Sequence, residues 1–304
     1  MKLRIVAPAK INLFLHVGDK RPDNYHALES LVVFAEAGDR MEFAAAGDLT
    51  LKVTGPFARY APPGADNLVL RAARALSPSP PQGERAGVRG LGATITLEKN
   101  IPVAAGLGGG SADAAATLRA LNVLWDLKRS EQDLLEIAAT LGSDVPACVL
   151  SRPCWMTGRG EHVHEVPSLP SVLAVLVNPG IAVPTAPVFA ALNARTGIGA
   201  LPQPQSAITT LWDLVSYLAD STNDLEAPAG LIAPAIDEVL AALDHEPACV
   251  LAQMSGSGAT CFALFDGEEF AAGAADRIAQ DHPDWWVKAT RLAAPDIGRP
   301  RSEI

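Results

Sequence analysis

A glycine-rich stretch at residues 102–116 has the composition of an anion-binding loop. It reads Pro-Val-Ala-Ala-Gly-Leu-Gly-Gly-Gly-Ser-Ala-Asp-Ala-Ala-Ala, so Gly106 and glycines 108–110 leave backbone amides open to the close approach of a ligand. The alanine-rich run that follows predicts a helix, with Ser111 as its cap. Because unpaired N–H groups and the positive end of the helix dipole point into the loop, the stretch predicts a phosphate site.

The common phosphate-binding motifs do not describe this loop. The dinucleotide fingerprint ends on Gly or Ala where Ser111 stands, which disfavours a dinucleotide-dependent oxidoreductase. The Walker pattern requires a Lys-Ser/Thr pair that the stretch lacks. A glycine-rich turn that only caps an ordinary helix is the structural alternative.

Lys10 and Asp144 are the charged residues that could work beside such a loop. Apolar alternation over residues 5–17 predicts a strand in which Lys10 shares a face with Val6 and Phe14. An ammonium on a partly covered face needs an anionic partner, although a solvated lysine is the simpler interpretation. Asp144 precedes a short apolar helix, and the local sequence alone favours a helix-capping role for it.

A series of strands and helices must position these residues. Period-two patterns and turn residues predict strands at 5–17, 28–34, 40–53, 93–97, 172–177, 249–253 and 261–265, with a turn at Gly38-Asp39. Capping residues and apolar spacing predict helices at 68–76 behind Asn67, from Ser130 to about 141, and from Thr185. A second glycine loop spans 254–260, a polar cluster at 223–226 precedes another helix, and residues 77–92 are predicted to form an exposed insertion. A boundary at 167–170 predicts two domains, 1–167 and 168–304.

The composition limits the kinds of partner. The chain has 304 residues, a formal net charge of -10 and a pI of about 5.1, so it has no basic field to attract nucleic acid or an anionic membrane. A polyphosphate ligand must then be held by backbone amides, one or two lysines and a divalent metal that accompanies the nucleotide. The four cysteines lack metal-binding spacing and are interpreted as buried thiols. With no signal peptide or membrane span in the sequence, we expect a cytoplasmic protein.

Three separated segments resemble the motifs of the GHMP small-molecule kinases. They are Pro8-Ala9-Lys10-Ile11-Asn12-Leu13, the central glycine loop, and Met254-Ser255-Gly256-Ser257-Gly258-Ala259. The match spans nearly the whole chain. The resemblance implies an α+β protein of two domains, a ribosomal-protein-like N-terminal domain and an α+β sandwich C-terminal domain, with the active site in the cleft between them.

Four further segments are similar to one branch of this family. They are Arg21-Pro22-Asp23-Asn24-Tyr25-His26, Asp66-Asn67-Leu68, Gly142-Ser143-Asp144-Val145-Pro146 and Gly158-Arg159-Gly160-Glu161. The resemblance implies a kinase that uses ATP with Mg²⁺ to phosphorylate the 2-hydroxyl of 4-diphosphocytidyl-2-C-methyl-D-erythritol, in the non-mevalonate route to isoprenoid precursors. We expect a monomer or a homodimer.

Two alternatives stay open at this point. A kinase of the homoserine or mevalonate type shares the three motifs but does not account for the Tyr25-His26 segment. A non-catalytic ATP-binding module would keep Lys10 and Asp144 far apart in space.

The resemblance also implies roles for individual residues. Asp144 would accept the proton of the attacking hydroxyl and Lys10 would stabilise developing negative charge, so these two form the catalytic pair. The implied ATP-binding residues are Asn67, Lys99, Pro102, Val103, Ala104, Ala105, Gly106, Leu107, Gly108, Gly109, Gly110, Ser111 and Ala112, with Asn67 and Lys99 on the adenine side. The implied acceptor-binding residues are Asn12, Tyr25, His26, Thr185 and Phe189, the aromatic members lying around the cytosine ring. Ala112 stands where the family often has a second serine, so any hydroxyl contact falls to Ser111. No protein residue is assigned as a metal ligand.

Overall fold

A computed structural model describes residues 2–77, 92–192, 202–293 and 298–303. Its strands are β1 Lys2–Asn12, β2 His16–Lys20, β3 His26–Ala46, β4 Thr50–Thr54, β5 Gly92–Glu98, β6 Cys154–Gly158, β7 His162–Glu165, β8 Val172–Asn178, β9 Cys249–Met254, β10 Cys261–Phe265, β11 Trp286–Leu292 and β12 Arg301–Glu303. Its α-helices are α1 Leu68–Leu76, α2 Gly109–Leu124, α3 Glu131–Leu141, α4 Val145–Leu150, α5 Thr185–Ala190, α6 Leu211–Leu218, α7 Glu226–Ile232, α8 Ala235–Asp244 and α9 Glu268–Asp281. Apart from its two end residues, the predicted insertion at 77–92 lies outside the described residues.

The long strand β3 joins the two halves of the chain. It pairs with β1, β2, β5 and β6, and at Ala35 it meets Leu292 of β11. From β11 the sheet continues through β8 and β10 to β9, and β12 borders β1 at the opposite edge. One sheet therefore runs through both predicted domains, and the boundary after residue 167 stays a prediction.

The predicted turn at Gly38-Asp39 is wrong, because β3 continues through it. A Cβ on Gly38 would lie 2.2 Å from the carbonyl oxygen of Ala7 on the neighbouring strand, so glycine is needed for the close approach of β1 and β3. Asp39 is completely buried and accepts hydrogen bonds from the backbone N–H groups of Asn100 and Ile101. Gly38 therefore allows two strands to pack closely and Asp39 belongs to a buried polar cluster, although both residue types are typical of turns.

Local capping signals explain where α1 and α3 begin, but not where α2 begins. Asn67 caps α1 by accepting a hydrogen bond from the Val69 N–H at 3.0 Å, and Ser130 forms a capping box with Asp133 before α3. The prediction that Ser111 caps α2 is wrong. Gly108, with a φ of +59°, occupies that position, and Ser111 lies within the first helical turn.

Three clusters of buried apolar side chains form the core. One is built from the first half of the chain and includes Phe43 and Leu118. A second joins both halves and contains Phe14 and Leu107 together with Phe262. The third lies mainly in the second half, around α8 and α9. Within the described ranges, no helix combines the length and apolar character that crossing a membrane requires.

Candidate active site

A cavity of about 780 Å³ opens between the glycine loop, the end of β1, the start of β3 and α5. It brings together most of the residues that the sequence marked for chemistry. Those that line it are Lys10, Asn12, Tyr25, His26, Ala104, Ala105, Gly106, Gly108, Gly109, Gly110, Ser111, Asp144, Thr185 and Phe189. Residues separated by more than a hundred positions in sequence therefore share one cleft.

The glycine loop is packed from both sides, which explains its composition. Gly106 has a φ of +79°, and a Cβ there would lie 2.2 Å from the carbonyl oxygen of Ser255 in the second glycine loop. On the other side, the Lys10 N–H donates to the carbonyl oxygen of Leu107 at 2.9 Å, and a Cβ on Gly108 would lie 3.2 Å from the Cβ of Lys10. Since α2 begins directly after this loop, its first N–H groups and its dipole favour an anion in the cleft.

Lys10 and Asp144 form an ion pair beside this helix start. The Lys10 Nζ lies 3.0 Å from the Asp144 Oδ1, with side-chain exposures of 5% and 35%. Asp144 occupies the N-cap position of α4, but its side chain makes no capping hydrogen bond. The local capping interpretation is therefore wrong, and the carboxylate is paired with a buried ammonium at the cavity wall.

Arg119 links α2, the helix that follows the glycine loop, to α4, the helix that follows Asp144. Its Nη1 donates to the carbonyl oxygens of Cys148 at 2.6 Å and Val149 at 2.8 Å, and to the Oγ of Ser151 at 2.8 Å, all near the C-terminal end of α4. Burial lowers the pKa of Arg119 to about 10. Because α2 starts at the glycine loop, this contact relates the position of Asp144 to that of the loop.

A buried charge cluster lies outside the cavity lining, beside the loop. The ammonium of Lys99 contacts Asp39 and lies 2.8 Å from the Asp113 Oδ2, and all three side chains are buried. Burial alone lowers the pKa of Lys99, but Asp113 and Asp39 raise it above its ordinary value. Burial raises the pKa of Asp113 to about 7 despite the opposing charge of Lys99. The cluster ties β5 and β3 to α2, and a Cβ on Gly109 would lie 3.4 Å from the Lys99 Nζ.

Several predicted nucleotide residues are not on the cavity wall. Besides Lys99, they are Asn67, Pro102, Val103, Leu107 and Ala112. Asn67 caps α1, and its Nδ2 donates to the carbonyl oxygen of Pro62 at 3.0 Å. The nucleotide-binding role of these residues stays a prediction.

Aromatic side chains form the far end of the cavity. Tyr25 is 55% exposed, and the rings of His26 and Phe189 lie 5.6 Å apart. The Nδ1 of His26 lies 2.9 Å from the carbonyl oxygen of Gly18, and because a carbonyl only accepts, Nδ1 is the donor in this hydrogen bond. Thr185 begins α5, with its hydroxyl 2.9 Å from the Oγ of Ser257.

Two polar features complete the lining. The Nδ2 of Asn12 donates to Ser30 at 2.8 Å, while its buried Oδ1 has no hydrogen-bond partner among the residues that the structure describes. Arg159 lines the cavity and places its guanidinium 5.0 Å from the ring centroid of Tyr25. Sequence reasoning assigned no side-chain role to Arg159. The available signal was its place in Gly158-Arg159-Gly160-Glu161, one of the four segments similar to a branch of the kinase family.

Comparison with known proteins identifies the family of the chain. The family model described as GHMP kinases N terminal domain matches residues 67–152, and the one described as GHMP kinases C terminal matches residues 205–284. The chain is similar to the 4-diphosphocytidyl-2-C-methyl-D-erythritol kinase of Cereibacter sphaeroides (strain ATCC 17025 / ATH 2.4.3), with 49% identity over 94% of this chain and 98% of the relative. It is 49% identical to the enzyme of the same name from Parvibaculum lavamentivorans, over 93% of this chain and 96% of that one.

A solved structure gives the same result. The crystal structure of a 4-(cytidine 5'-diphospho)-2C-methyl-D-erythritol kinase superposes with a TM-score of 0.76 and 32% identity, covering 96% of this chain and 99% of that chain. The expected α+β GHMP kinase fold is thereby confirmed. By its motifs, its fold and its relatives, the chain belongs to the GHMP kinase family and, within it, to the 4-diphosphocytidyl-2-C-methyl-D-erythritol kinases.

Proposed function

We propose that the protein transfers the γ-phosphoryl group of ATP to the 2-hydroxyl of 4-diphosphocytidyl-2-C-methyl-D-erythritol, a step of the non-mevalonate route to isoprenoid precursors. The observation that carries this proposal is the Lys10–Asp144 pair, 3.0 Å apart, in the same cavity as a helix N-terminus and an aromatic end. The relatives that match almost the whole chain carry the corresponding name.

The glycine loop is the binding site for the triphosphate in this proposal. Backbone N–H groups at the start of α2 donate to phosphate oxygens, and the helix dipole adds favourable electrostatics. Since phosphoryl transfer depends mainly on positioning and charge stabilisation, such preorganised dipoles contribute a large part of the acceleration. The packing of the loop between β1 and the second glycine loop keeps these donors fixed.

Asp144 and Lys10 act on the acceptor hydroxyl. The hydroxyl oxygen forms a bond to the γ-phosphorus, the bond from that phosphorus to the β,γ-bridging oxygen breaks, and ADP leaves. Asp144 accepts the hydroxyl proton, a contribution of roughly 10²–10⁴ in rate. Lys10, anchored in the buried wall, orients the carboxylate and stabilises the charge on the phosphoryl oxygens.

Mg²⁺ that arrives with the nucleotide neutralises phosphate charge when bound. The oxygen donors along the cavity are suited to it: the hydroxyl of Ser111 and the carboxylate of Asp144 are of the type that Mg²⁺ prefers. In the part of the chain that the structure describes, no group of three or more His, Cys, Asp or Glu residues could hold a metal by itself. The proposal therefore assigns most of the metal coordination to phosphates and water.

Tyr25, His26 and Phe189 recognise the cytosine ring. A base can stack on the exposed Tyr25 while His26 contacts its polar edge, and Arg159 over the tyrosine adds positive charge at this end of the cavity. Asn12, with its free Oδ1, and Thr185 are placed to contact the acceptor beyond the base.

The proposal includes a cytoplasmic enzyme that works as a monomer or homodimer on small molecules, without nucleic acid or membrane. The net charge of -10 supports the absence of nucleic-acid and membrane partners, because a negatively charged protein repels nucleic acid and anionic membranes. The four cysteines are free thiols, as expected in a reducing compartment.

A panel of acceptors with Mg·ATP tests the proposal. Coupled measurement of ADP release should show turnover with 4-diphosphocytidyl-2-C-methyl-D-erythritol and none above background with homoserine or mevalonate. Turnover with either of the latter compounds in place of the cytidine-bearing one would reassign the protein within the family.

A further inference from the structure

Residues 222–226, which follow α6 and include the first residue of α7, lie between the two ends of the cavity, and Leu225 of this segment lines the cavity. The segment contains the polar cluster at 223–226 that the sequence showed before a helix, and the mechanism above makes no use of its polar side chains. Asn223 is only 4% exposed and Asp224 is half-buried. A buried amide followed by a half-buried carboxylate needs hydrogen-bond partners, and those partners lie on opposite sides of the site.

Asn223 holds the second glycine loop. Its Nδ2 donates to the carbonyl oxygens of Met254 at 2.7 Å and Gly256 at 2.8 Å, and its Oδ1 accepts from the Leu225 N–H at 3.0 Å. Both N–H donors and one acceptor position of this amide group are thus used in bonds to backbone groups of the second glycine loop and of Leu225. A carboxylate of the same segment, Glu226, accepts from the Met254 N–H at 2.8 Å.

The second glycine loop in turn supports the phosphate loop. The Oγ of Ser255 donates to the carbonyl oxygen of Gly106 at 3.1 Å, and the Thr260 N–H donates to that of Ala105 at 3.1 Å. The Asn12 N–H donates to the same Ser255 hydroxyl at 3.2 Å. Asn223 therefore supports the loop that holds the triphosphate indirectly, through the backbone of the second glycine loop.

Asp224 holds the other side. Its Oδ2 accepts from the Val17 N–H at 2.7 Å, its own N–H donates to the carbonyl oxygen of Leu15 at 2.9 Å, and Leu15 donates to Thr222 at 3.1 Å. These bonds fix the start of β2. The adjacent Gly18 carbonyl is the partner of the His26 ring, so this side leads to the aromatic end of the cavity.

We propose that Asn223 and Asp224 are separate positioning residues, Asn223 for the phosphate loop and Asp224 for the base-recognising end. The inference rests on the proposed function for the identity of the acceptor. It differs from a general structural role because it predicts that neighbouring substitutions affect different ligands.

Calorimetric titrations test this separation. Wild type, Asn223→Ala and Asp224→Ala are titrated with the Mg²⁺ complex of a non-hydrolysable ATP analogue and, separately, with 4-diphosphocytidyl-2-C-methyl-D-erythritol. Asn223→Ala should weaken the analogue about tenfold, which is about 1.4 kcal/mol, and change acceptor affinity less than about twofold. Asp224→Ala should show the reverse, and Asp224→Asn should restore acceptor affinity because an amide oxygen still accepts from Val17.

Controls separate the possible outcomes. Asp220→Asn, at an exposed carboxylate just before the segment, should leave both affinities unchanged. Should Asn223→Ala not fold, Asn223→Ser keeps an acceptor for the Leu225 N–H while losing the two donated bonds. Equal weakening of both ligands by both variants, or no weakening, would overturn the inference. A wild type that binds the analogue but not the acceptor would refute the proposed function, while the Asn223 result would still stand as a test of the phosphate-loop half.

Discussion

Replacing Asp144 with Asn separates the chemistry of the carboxylate from its volume. The substitution preserves shape but replaces the carboxylate that is proposed to accept the hydroxyl proton and whose Oδ1 lies 3.0 Å from the Lys10 Nζ. Lys10 is only 4% exposed, so water cannot fully replace the lost negative charge. Two measurable consequences follow, one on turnover and one on stability.

The effect on turnover should be far larger than the effect on folding. Loss of general base catalysis lowers kcat by roughly 10²–10⁴, which raises the barrier by about 2.7–5.5 kcal/mol. The amide oxygen of the variant can still accept from Lys10, so the cost is the loss of a carboxylate charge beside a buried ammonium. This loss costs about 1–3 kcal/mol of unfolding free energy, and the 35% exposure of Asp144 places this case near the lower end. Since domains are typically stable by about 5–15 kcal/mol, the variant should still fold.

Coupled ADP release measures kcat and the KM for ATP, and urea unfolding measures stability. We expect the KM for ATP to stay close to the wild-type value, because the proposal assigns nucleotide binding to the glycine loop and not to Asp144. Asp220→Asn is the matched control for removal of one negative charge from the exposed surface. A folded Asp144→Asn variant with kcat within about tenfold of wild type would exclude Asp144 as the base.

Three other substitutions test separate parts of the account. Tyr25→Ala should raise the KM for the cytidine-bearing acceptor about tenfold and leave that for ATP unchanged, because base–aromatic stacking is worth about 1–3 kcal/mol; an unchanged acceptor KM would mean that the ring only packs. Gly106→Ala should lower both ATP affinity and stability, since its Cβ would meet the Ser255 carbonyl oxygen at 2.2 Å, whereas Gly47→Ala, with nothing within 4 Å, should change neither. Equal effects of the two glycine substitutions would contradict this reasoning. Asp113→Asn should flatten the pH dependence of the free energy of unfolding. Burial raises the pKa of Asp113 from 3.8 to about 7, so the stability that Asp113 contributes is present below pH 3.8 and is lost as the pH rises through 7. Identical slopes for wild type and variant in urea titrations across that range would show that Asp113 does not carry the effect.

Signals confined to a few neighbouring residues were sufficient for much of the fold. The Asn67 cap, the capping box at Ser130 and the tight turn at 158–161 all depend on bonds within four residues. Asn24 has a φ of +68°, a left-handed conformation that Asn adopts more readily than most residues. Such features need no tertiary information, because the competing conformations are local as well.

Local sequence patterns did not predict features that depend on contacts between distant segments of the chain. Gly38 and Asp39 have turn composition, yet one accommodates Ala7 and the other pairs with Lys99, sixty positions away. Ser111 was misplaced as a cap because the left-handed Gly108 lets α2 begin three residues earlier. These errors share one cause, which is that tertiary packing overrides a local preference of about 1 kcal/mol.

The candidate site was predicted partly from a local pattern and partly from the family resemblance. Glycine spacing alone predicted the anion loop, but the partnership of Lys10 with Asp144 came from the family resemblance. In the structure that partnership depends on α4, which Arg119 fixes against α2. Neither residue's neighbours in sequence encode it. The hydrogen bonds of Asn223 to the second glycine loop were not predicted for the same reason, because its partners Met254 and Gly256 lie about thirty residues away in sequence.

The most direct test of the central claim is a crystal structure with a non-hydrolysable ATP analogue and 4-diphosphocytidyl-2-C-methyl-D-erythritol bound together. The distance to measure joins the 2-hydroxyl oxygen of the acceptor to the nearest Asp144 carboxylate oxygen. The account predicts a hydrogen bond of about 2.6–3.2 Å, with the same hydroxyl about 3–3.5 Å from the γ-phosphorus. A hydroxyl that lies out of reach of Asp144, with the triphosphate away from the start of α2, would contradict it.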